Sequence, residues 1–276
     1  MMLRVALVQT RTPASQAAAL DHVLPLARQA SDGGAQLIAT PEGTNILQKD
    51  REALLPQLRV LEDDPVVVAL RELARASGVS ILIGSALVKR EDGLCANRSA
   101  LIDPQGDIVA TYDKLHMFDV DLPSGERARE SATYAPGDVA VTAMAQGAKL
   151  GLTICYDLRF PALHRALALA GAEILTTPAA FTRSTGVAHW DVLLRARAIE
   201  TGSFVIAPAQ GGFHEDGRGT YGHSLVVAPW GEVVARLNHD EPAVLFADLD
   251  LDLVAKARAA IPALANARPF SGPATI

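Results

Sequence analysis

Short apolar, β-branched runs alternate with longer stretches of helical period along the whole chain, which is the pattern of α/β construction. The runs predict strands at 3–9, 36–40, 80–84, 98–103, 108–112, 139–144, 149–154, 173–177, 204–209, 223–228, 233–237 and 243–248. The clearest helix covers 65–76: Asp64 can cap it, Pro65 suits its first turn, and Gly78 stands just past its end. Further helices are predicted after Ser15, Arg159 and Gly186.

Four segments of the first half return in the second, in the same order. RVALVQ (4–9) parallels KLGLTI (149–154), and GAQLIATPE (34–42) parallels GAEILTTPA (171–179). SGVSILIGS (77–85) parallels TGSFVIAPA (201–209), and SALIDPQGDIVA (99–110) parallels SLVVAPWGEVVA (224–235). Each pair alone is weak, but four in register predict two similar halves, each with its own sheet. Two mixed sheets stacked face to face with helices outside, an αββα sandwich, would house twelve strands without an improbably wide sheet. No linker separates the halves, so residues 1–276 read as one domain.

Composition narrows the class of protein. With 49% hydrophobic and 20% charged residues the chain is a globular one. Its net charge of −6 is opposite in sign to the footprint of a nucleic-acid binder. Two cysteines, Cys95 and Cys155, make no disulfide framework and no CxxC pair, which predicts a reduced, cytoplasmic setting. No stretch has the length and apolarity of a secretion signal or a membrane anchor, so no membrane partner is expected.

Three residues stand where α/β sheets place chemistry, at the C-terminal ends of strands. Cys155 follows KLGLTI directly and precedes YDLRFP, a strand-to-helix junction whose free N–H groups would favour a thiolate and a developing oxyanion. Glu42 ends QLIATPE, and Lys114 ends DIVATYDK. Singly, each has a bland reading: a small buried thiol, a turn carboxylate, a solvated lysine. Jointly they supply a nucleophile, a proton carrier and a fixed cation, the set an amide-cleaving site needs without a metal or other cofactor. The histidines show no HxxxH or HxH pairing, and there is no GxSxG, Walker or GxGxxG motif. Cys95, in the turn-like EDGLCANR, has no such setting.

PEG around Glu42, YDKLHMFD around Lys114 and CYDLRFP around Cys155 resemble the three signatures of the nitrilase superfamily of carbon–nitrogen hydrolases. TGVAHWDVLLRARAIETGSFVIAPAQ (185–210) and YGHSLVVAPWGEVVA (221–235) resemble its Nit branch. The resemblance implies an αββα fold whose subunits pair into a dimer, with Cys155 as nucleophile, Glu42 as general base and Lys114 as oxyanion-stabilising cation. It further implies that Glu130, in RARESATYAPGD, positions the lysine and the substrate, and that the backbone N–H of Tyr156 is the second oxyanion donor.

Nit-branch substrates are short α-keto acids with an amide, so the resemblance predicts a small carboxylate-bearing amide as partner and a cation to receive it. Arg159, four residues past the nucleophile, asks for a local anion: the substrate, or Asp157 or Glu173. Arg183, in AAFTRSTG, either reaches the site's mouth or is a solvated loop residue. AQGGFHEDGRGTYGHS resembles the loop of members acting on deaminated glutathione more than that of members acting on short ω-amides, which stay the alternative. A reactive-thiol binding or redox-sensing protein would keep the cysteine but need neither glutamate. The GERARE cluster within 118–134 reads as a solvated lid.

Overall fold

A computed structural model describes residues 1–123 and 125–273. Its strands, in chain order, are β1 (Met2–Gln9), β2 (Leu37–Ala39), β3 (Ser80–Lys89), β4 (Cys95–Ile102), β5 (Ile108–Asp113), β6 (Asp119–Asp121), β7 (Arg127–Arg129) and β8 (Thr142–Ala145). There follow β9 (Ala148–Gly151), β10 (Ile174–Thr176), β11 (Phe204–Ala207), β12 (Gly211–Phe213), β13 (Gly219–Tyr221), β14 (Leu225–Val227), β15 (Val233–Arg236) and β16 (Ala243–Asp250).

Two six-stranded mixed sheets dominate, with orders β16-β1-β2-β3-β4-β5 and β8-β9-β10-β11-β14-β15. In the first, β1, β2 and β3 run parallel, flanked by antiparallel β16 on one side and antiparallel β4 and β5 on the other. The second repeats that plan: β9, β10 and β11 are parallel, with antiparallel β8 at one edge and antiparallel β14 and β15 at the other. The four repeated segments therefore map onto β1/β9, β2/β10, β3/β11 and the β4–β5/β14–β15 hairpins.

Period-two alternation on β1 builds three layers at once. Leu3, Val5 and Leu7 face the core between the sheets, where they join Leu150, Ile174 and Val205 of the second sheet. Ala6 and Val8 face the opposite side, against Ala19, Val23 and Ala27 of helix Gln16–Asp32 and Val67, Leu70 and Ala74 of helix Pro65–Ser77. Helices Pro161–Leu169 and Asp191–Thr201 cover the second sheet in the same way through Leu163, Leu167, Leu194 and Ala198. The result is the four-layer αββα sandwich. Helix 65–77 is framed as the sequence specifies: Asp64 accepts from Val66 N at 3.0 Å and Val67 N at 3.2 Å, and Gly78 closes it at φ +70°.

Departures from the sequence expectation are local. The strand predicted over 149–154 ends at Gly151, because residues beyond it leave the sheet to form the turn that carries Cys155. Helix does not follow Arg159 at once; Cys155–Arg159 make a 3₁₀ turn before Pro161 opens the α-helix. The hairpins β6–β7 and β12–β13 escape prediction because three-residue strands reading DVD, RAR, GGF and GTY have no apolar alternation. Among the described residues no helix is long and apolar enough to cross a membrane.

Candidate active site

Glu42, Lys114, Glu130 and Cys155 come from four separate segments and line one cavity of about 400 Å³. Glu42 is set by the way the chain leaves β2. The loop 40–44 zips onto an irregularity in β3: Ser85 N donates to Pro41 O at 3.0 Å, Gly43 N to Ser85 Oγ at 2.9 Å, and Thr44 N to Ser85 O at 2.8 Å. Gly84 makes this approach possible, since a Cβ there would stand 1.8 Å from Thr40 O and 2.3 Å from Pro178 Cβ.

Cys155 is held at φ +48°, a left-handed conformation that costs a non-glycine residue energy, while its N–H donates to Pro178 O at 2.9 Å. The fully buried Asp157 pins the turn. Its carboxylate accepts from Ile154 N at 2.9 Å, Tyr112 Oη at 2.7 Å and His116 N at 3.1 Å. Because Tyr112 and His116 flank Lys114, one carboxylate ties the cysteine turn to the end of β5. His116 also stacks on Phe160 at 3.5 Å.

At the centre, Lys114 Nζ donates to Glu42 Oε1 at 2.8 Å and to both carboxylate oxygens of Glu130 at 2.9 and 2.8 Å. Asn97, from β4, joins both glutamates, its Nδ2 donating to Glu42 Oε1 and Glu130 Oε1 at 2.9 Å each. Its backbone carbonyl also accepts from Lys114 N at 3.0 Å. Ala180 N donates to Glu42 Oε2 at 2.8 Å and Phe118 N to Glu130 Oε2 at 2.6 Å. Lys114 and Asn97 are each 2% exposed, Glu42 7% and Cys155 8%, so these charges interact in a poorly screened interior.

Burial disfavours the Glu42 carboxylate, yet the Lys114 ammonium and hydrogen bonds from Lys114, Cys155 and Ala180 outweigh it and hold its pKa below the ordinary value. Burial also works against the Lys114 ammonium, and the negative charges of Glu130 and Glu42 reverse that, leaving its pKa well above normal. The Cys155 thiol is pushed well above its usual range by burial and then by the Glu42 charge, against a smaller opposing pull from Lys114. Burial and the Glu42 charge thus favour a protonated thiol beside an ionised carboxylate, against the thiolate expected from a helix N-terminus.

The N–H of Tyr156 has no acceptor among the described residues, and the Tyr156 ring packs edge-on to Phe118 and Phe160 at 5.1 and 5.3 Å. Arg159 lines the cavity over the Phe181 ring at 5.3 Å, and its nearest hydrogen-bonding partner is His189 Nδ1 at 3.3 Å. Asp157 and Glu173 do not reach it: the first holds the turn, and the second accepts from Lys149 N at 3.1 Å. Arg183 is not in the cavity wall. It pairs with Asp240 and lies over Phe213 at 5.0 Å, the half-exposed loop arginine of the two readings.

The segment 118–134 is built into the wall. Strands β6 and β7 pair, Arg129 bonds Asp121 at 2.7 Å, and Glu130 follows directly from β7; Ser124 of this segment lies outside the described residues. Asn97 is the central residue that sequence reasoning passed over. Its signal is a departure from the internal repeat, in which position 97 pairs with Gly222 and an amide side chain has no counterpart. Among the described residues no group of three or more His, Cys, Asp or Glu side chains is placed to hold a metal.

A mixed αββα sandwich that brings a cysteine against a glutamate–lysine–glutamate array at its strand ends is the architecture of hydrolases acting on carbon–nitrogen bonds other than peptide bonds. The chain belongs to this family: the carbon–nitrogen hydrolase model matches residues 4–259. It is 41% identical over 240 residues to the deaminated glutathione amidase of Yersinia enterocolitica, covering 86% of this chain and 83% of that one. The solved C. elegans NitFhit protein superposes with a TM-score of 0.89 at 32% identity over 97% of this chain, which spans 65% of the NitFhit chain. An amidase from Nesterenkonia sp. AN1, solved with acrylamide added to its active site cysteine, gives a TM-score of 0.77 at 29% identity, covering 94% of this chain and 98% of that one.

Proposed function

We propose that this enzyme hydrolyses the amide of deaminated glutathione, with Cys155 as nucleophile, Glu42 as proton carrier and Lys114 as the oxyanion cation. The observation that carries the reading is the Glu42–Lys114–Glu130 array in the cavity that Cys155 also lines, with the unpartnered N–H of Tyr156 beside it. As Cys155 Sγ bonds to the amide carbon, its proton passes to Glu42 Oε, and the carbonyl electron pair moves onto oxygen. The Lys114 ammonium and Tyr156 N–H receive that negative charge. Collapse breaks the C–N bond while Glu42 returns the proton to the departing amine, leaving a thioester. Glu42 then takes a proton from water as its oxygen bonds to the thioester carbon; the C–S bond breaks, Glu42 returns the proton to sulfur, and the carboxylic acid is released.

A raised thiol pKa suits this order of events, since no free thiolate waits to be oxidised or alkylated and the proton leaves only as the S–C bond forms. Glu130 positions Lys114 through two short bonds and spreads its charge. Arg159, without an acidic partner among the described residues, receives the α-keto carboxylate of the acyl half. The substrate itself is supported by the relatives that bear this name and by the loop 209–224.

The chain acts as one domain, since the family match runs through both sheets. A homodimer is supported by exposed Val187, Val192 and Ile199 along the helical run 186–201 and Leu169 on the neighbouring helix. Both cysteines are free, which suits a reducing cytoplasm.

The test is α-ketoglutarate release from deaminated glutathione and from α-ketoglutaramate, with wild type and Cys155→Ala compared at equal concentration. Faster turnover of deaminated glutathione and a dead variant are expected. Preference for the smaller amide refutes the substrate assignment, and an active Cys155→Ala refutes the mechanism.

A further inference from the structure

The Cys155 site explains the acyl half of the substrate but leaves part of the cavity wall without a task. Gln48, Lys49, Tyr134 and Arg218 belong to that wall, on chain segments other than those that carry Arg159 and Phe181. Asp216 organises it. Its side chain is 1% exposed, and Oδ2 accepts from Arg218 Nε at 2.7 Å and from the backbone N–H of Lys49 at 2.9 Å. Oδ1 accepts from Arg218 N at 3.0 Å, which closes the turn between β12 and β13.

One buried carboxylate thus gathers two cations and neutralises only one. The terminal nitrogens of Arg218 have no acceptor among the described residues, and Lys49 makes no ion pair there. The ammonium of Lys49 leans over the same turn, 3.5 Å from where a Cβ on Gly217 would stand. The hairpin is itself braced: buried His214 meets Thr220 Oγ1 at 2.7 Å, and Glu215 accepts from Ala14 N at 2.8 Å. The fold therefore fixes the Arg218 guanidinium and the backbone that carries Lys49, at a cavity that already holds Arg159 for one carboxylate.

We propose that Lys49 and Arg218 form a second carboxylate subsite, which binds the C-terminal carboxylate of a peptidyl amine leaving group. The inference rests on the proposed substrate reading and deepens it. An amide of ammonia has no group to place there, whereas a dipeptide amide carries a carboxylate about 7 Å beyond the scissile nitrogen when extended. The subsite acts before the C–N bond breaks and its partner departs with the amine, so it governs which amides enter rather than how the thioester is hydrolysed.

The experiment measures kcat/KM for deaminated glutathione and for its C-terminal carboxamide, which differ only in the terminal charge, with α-ketoglutaramate alongside. Wild type should prefer the acid by about tenfold, the scale of one hydrogen-bonded charge pair, with the difference in KM. Added salt should shrink that preference, since the subsite is open to solvent. Lys49→Met should bring the acid and carboxamide within about threefold of each other, and Lys49→Arg should restore the gap. Equal kcat/KM for acid and carboxamide in wild type, or an undiminished preference in Lys49→Met, overturns the subsite while leaving the amidase reading in place. Turnover of α-ketoglutaramate alone overturns the substrate reading and the subsite together.

Discussion

Replacing Asn97 by leucine tests the electrostatic reading of the site without touching a group that reacts. The substitution keeps the branched heavy-atom outline of the side chain, with somewhat bulkier methyl groups, and removes the amide whose Nδ2 lies 2.9 Å from both Glu42 Oε1 and Glu130 Oε1. A hydrogen bond to a charged group contributes about 1.5–3 kcal/mol, which is about one to two pKa units at each carboxylate. The sign follows from which form is bonded. Nδ2 stabilises the ionised carboxylates, so its loss raises their pKa, and Glu42 rises from below its ordinary value into or above the usual carboxylate range. The acid limb of kcat/KM requires ionised Glu42 and should move up by about one to two pH units, so that activity falls about 10- to 100-fold on that limb and far less at neutral pH, where Glu42 stays ionised. The assay is the α-ketoglutarate-release rate across the acid limb, with thermal unfolding measured alongside. An acid limb that stays in place while activity falls evenly at every pH would show that Asn97 only supports the fold, and unchanged activity would refute the argument outright.

Four further expectations follow from the same geometry. Iodoacetamide should alkylate Cys155 with a rate that keeps rising past the ordinary thiol range near pH 8.5, because burial and Glu42 hold the proton on sulfur; a plateau below about pH 8 would refute this. Lys114→Met leaves two carboxylates that both lay within 2.9 Å of one ammonium, where mutual repulsion at an effective dielectric of about 20 is roughly 3 kcal/mol. Its kcat should fall at least about 100-fold from loss of the oxyanion cation alone, and a fall of under tenfold would remove Lys114 from that role. Gly84→Ala places a methyl group 1.8 Å from Thr40 O and 2.3 Å from Pro178 Cβ, so the unfolding temperature should drop with a loss of about 1–3 kcal/mol or more, and a wild-type melting point would contradict the packing. Burial lowers the pKa of His164 to about 4, so the unfolded chain takes up a proton as pH falls through about 6.5 and the folded chain does not; stability should drop by roughly 3 kcal/mol between those values, and less in His164→Leu.

The sheets were legible because both of their faces are buried and their strands come in two copies. Each of the twelve predicted runs overlaps a strand of one of the six-stranded sheets, and the repeats correctly paired β1 with β9 and β4–β5 with β14–β15. Glu42 and Lys114 were visible for a related reason, as charged residues that end apolar runs. What escaped was fixed by tertiary contacts rather than by local pattern. Nothing in DVDLPSGERARE separates the charges that pair across β6–β7 from Glu130, and only folding brings that carboxylate against Lys114. Arg159 and Arg183 looked alike in sequence, yet Asp240, distant in the chain, neutralises one and leaves the other facing the cavity.

The internal repeat also shows why a molecule with two similar halves has one site. The offset that aligns RVALVQ with KLGLTI places Thr10 opposite Cys155, and the offset that aligns GAQLIATPE with GAEILTTPA places Ala179 opposite Glu42. Lys114 falls opposite His239 and Asn97 opposite Gly222. The equivalent edge therefore has a hydroxyl in place of the thiol and no carboxylate, lysine or amide donor at the related positions. It is filled by a buried polar network instead: Thr10 Oγ1 donates to Gln210 Oε1 at 2.9 Å, and Gln210 Nε2 donates to Thr12 Oγ1 at 2.7 Å. Gln210 Nε2 also donates to the backbone carbonyl of Glu42 at 2.9 Å, and its N–H bonds Ala179 O at 2.8 Å. The related residue Ala179 is itself followed by Ala180, whose N–H holds Glu42 Oε2. The second copy thus contributes rigidity where the first contributes chemistry, buttressing from behind the carboxylate that must exchange a proton with Cys155.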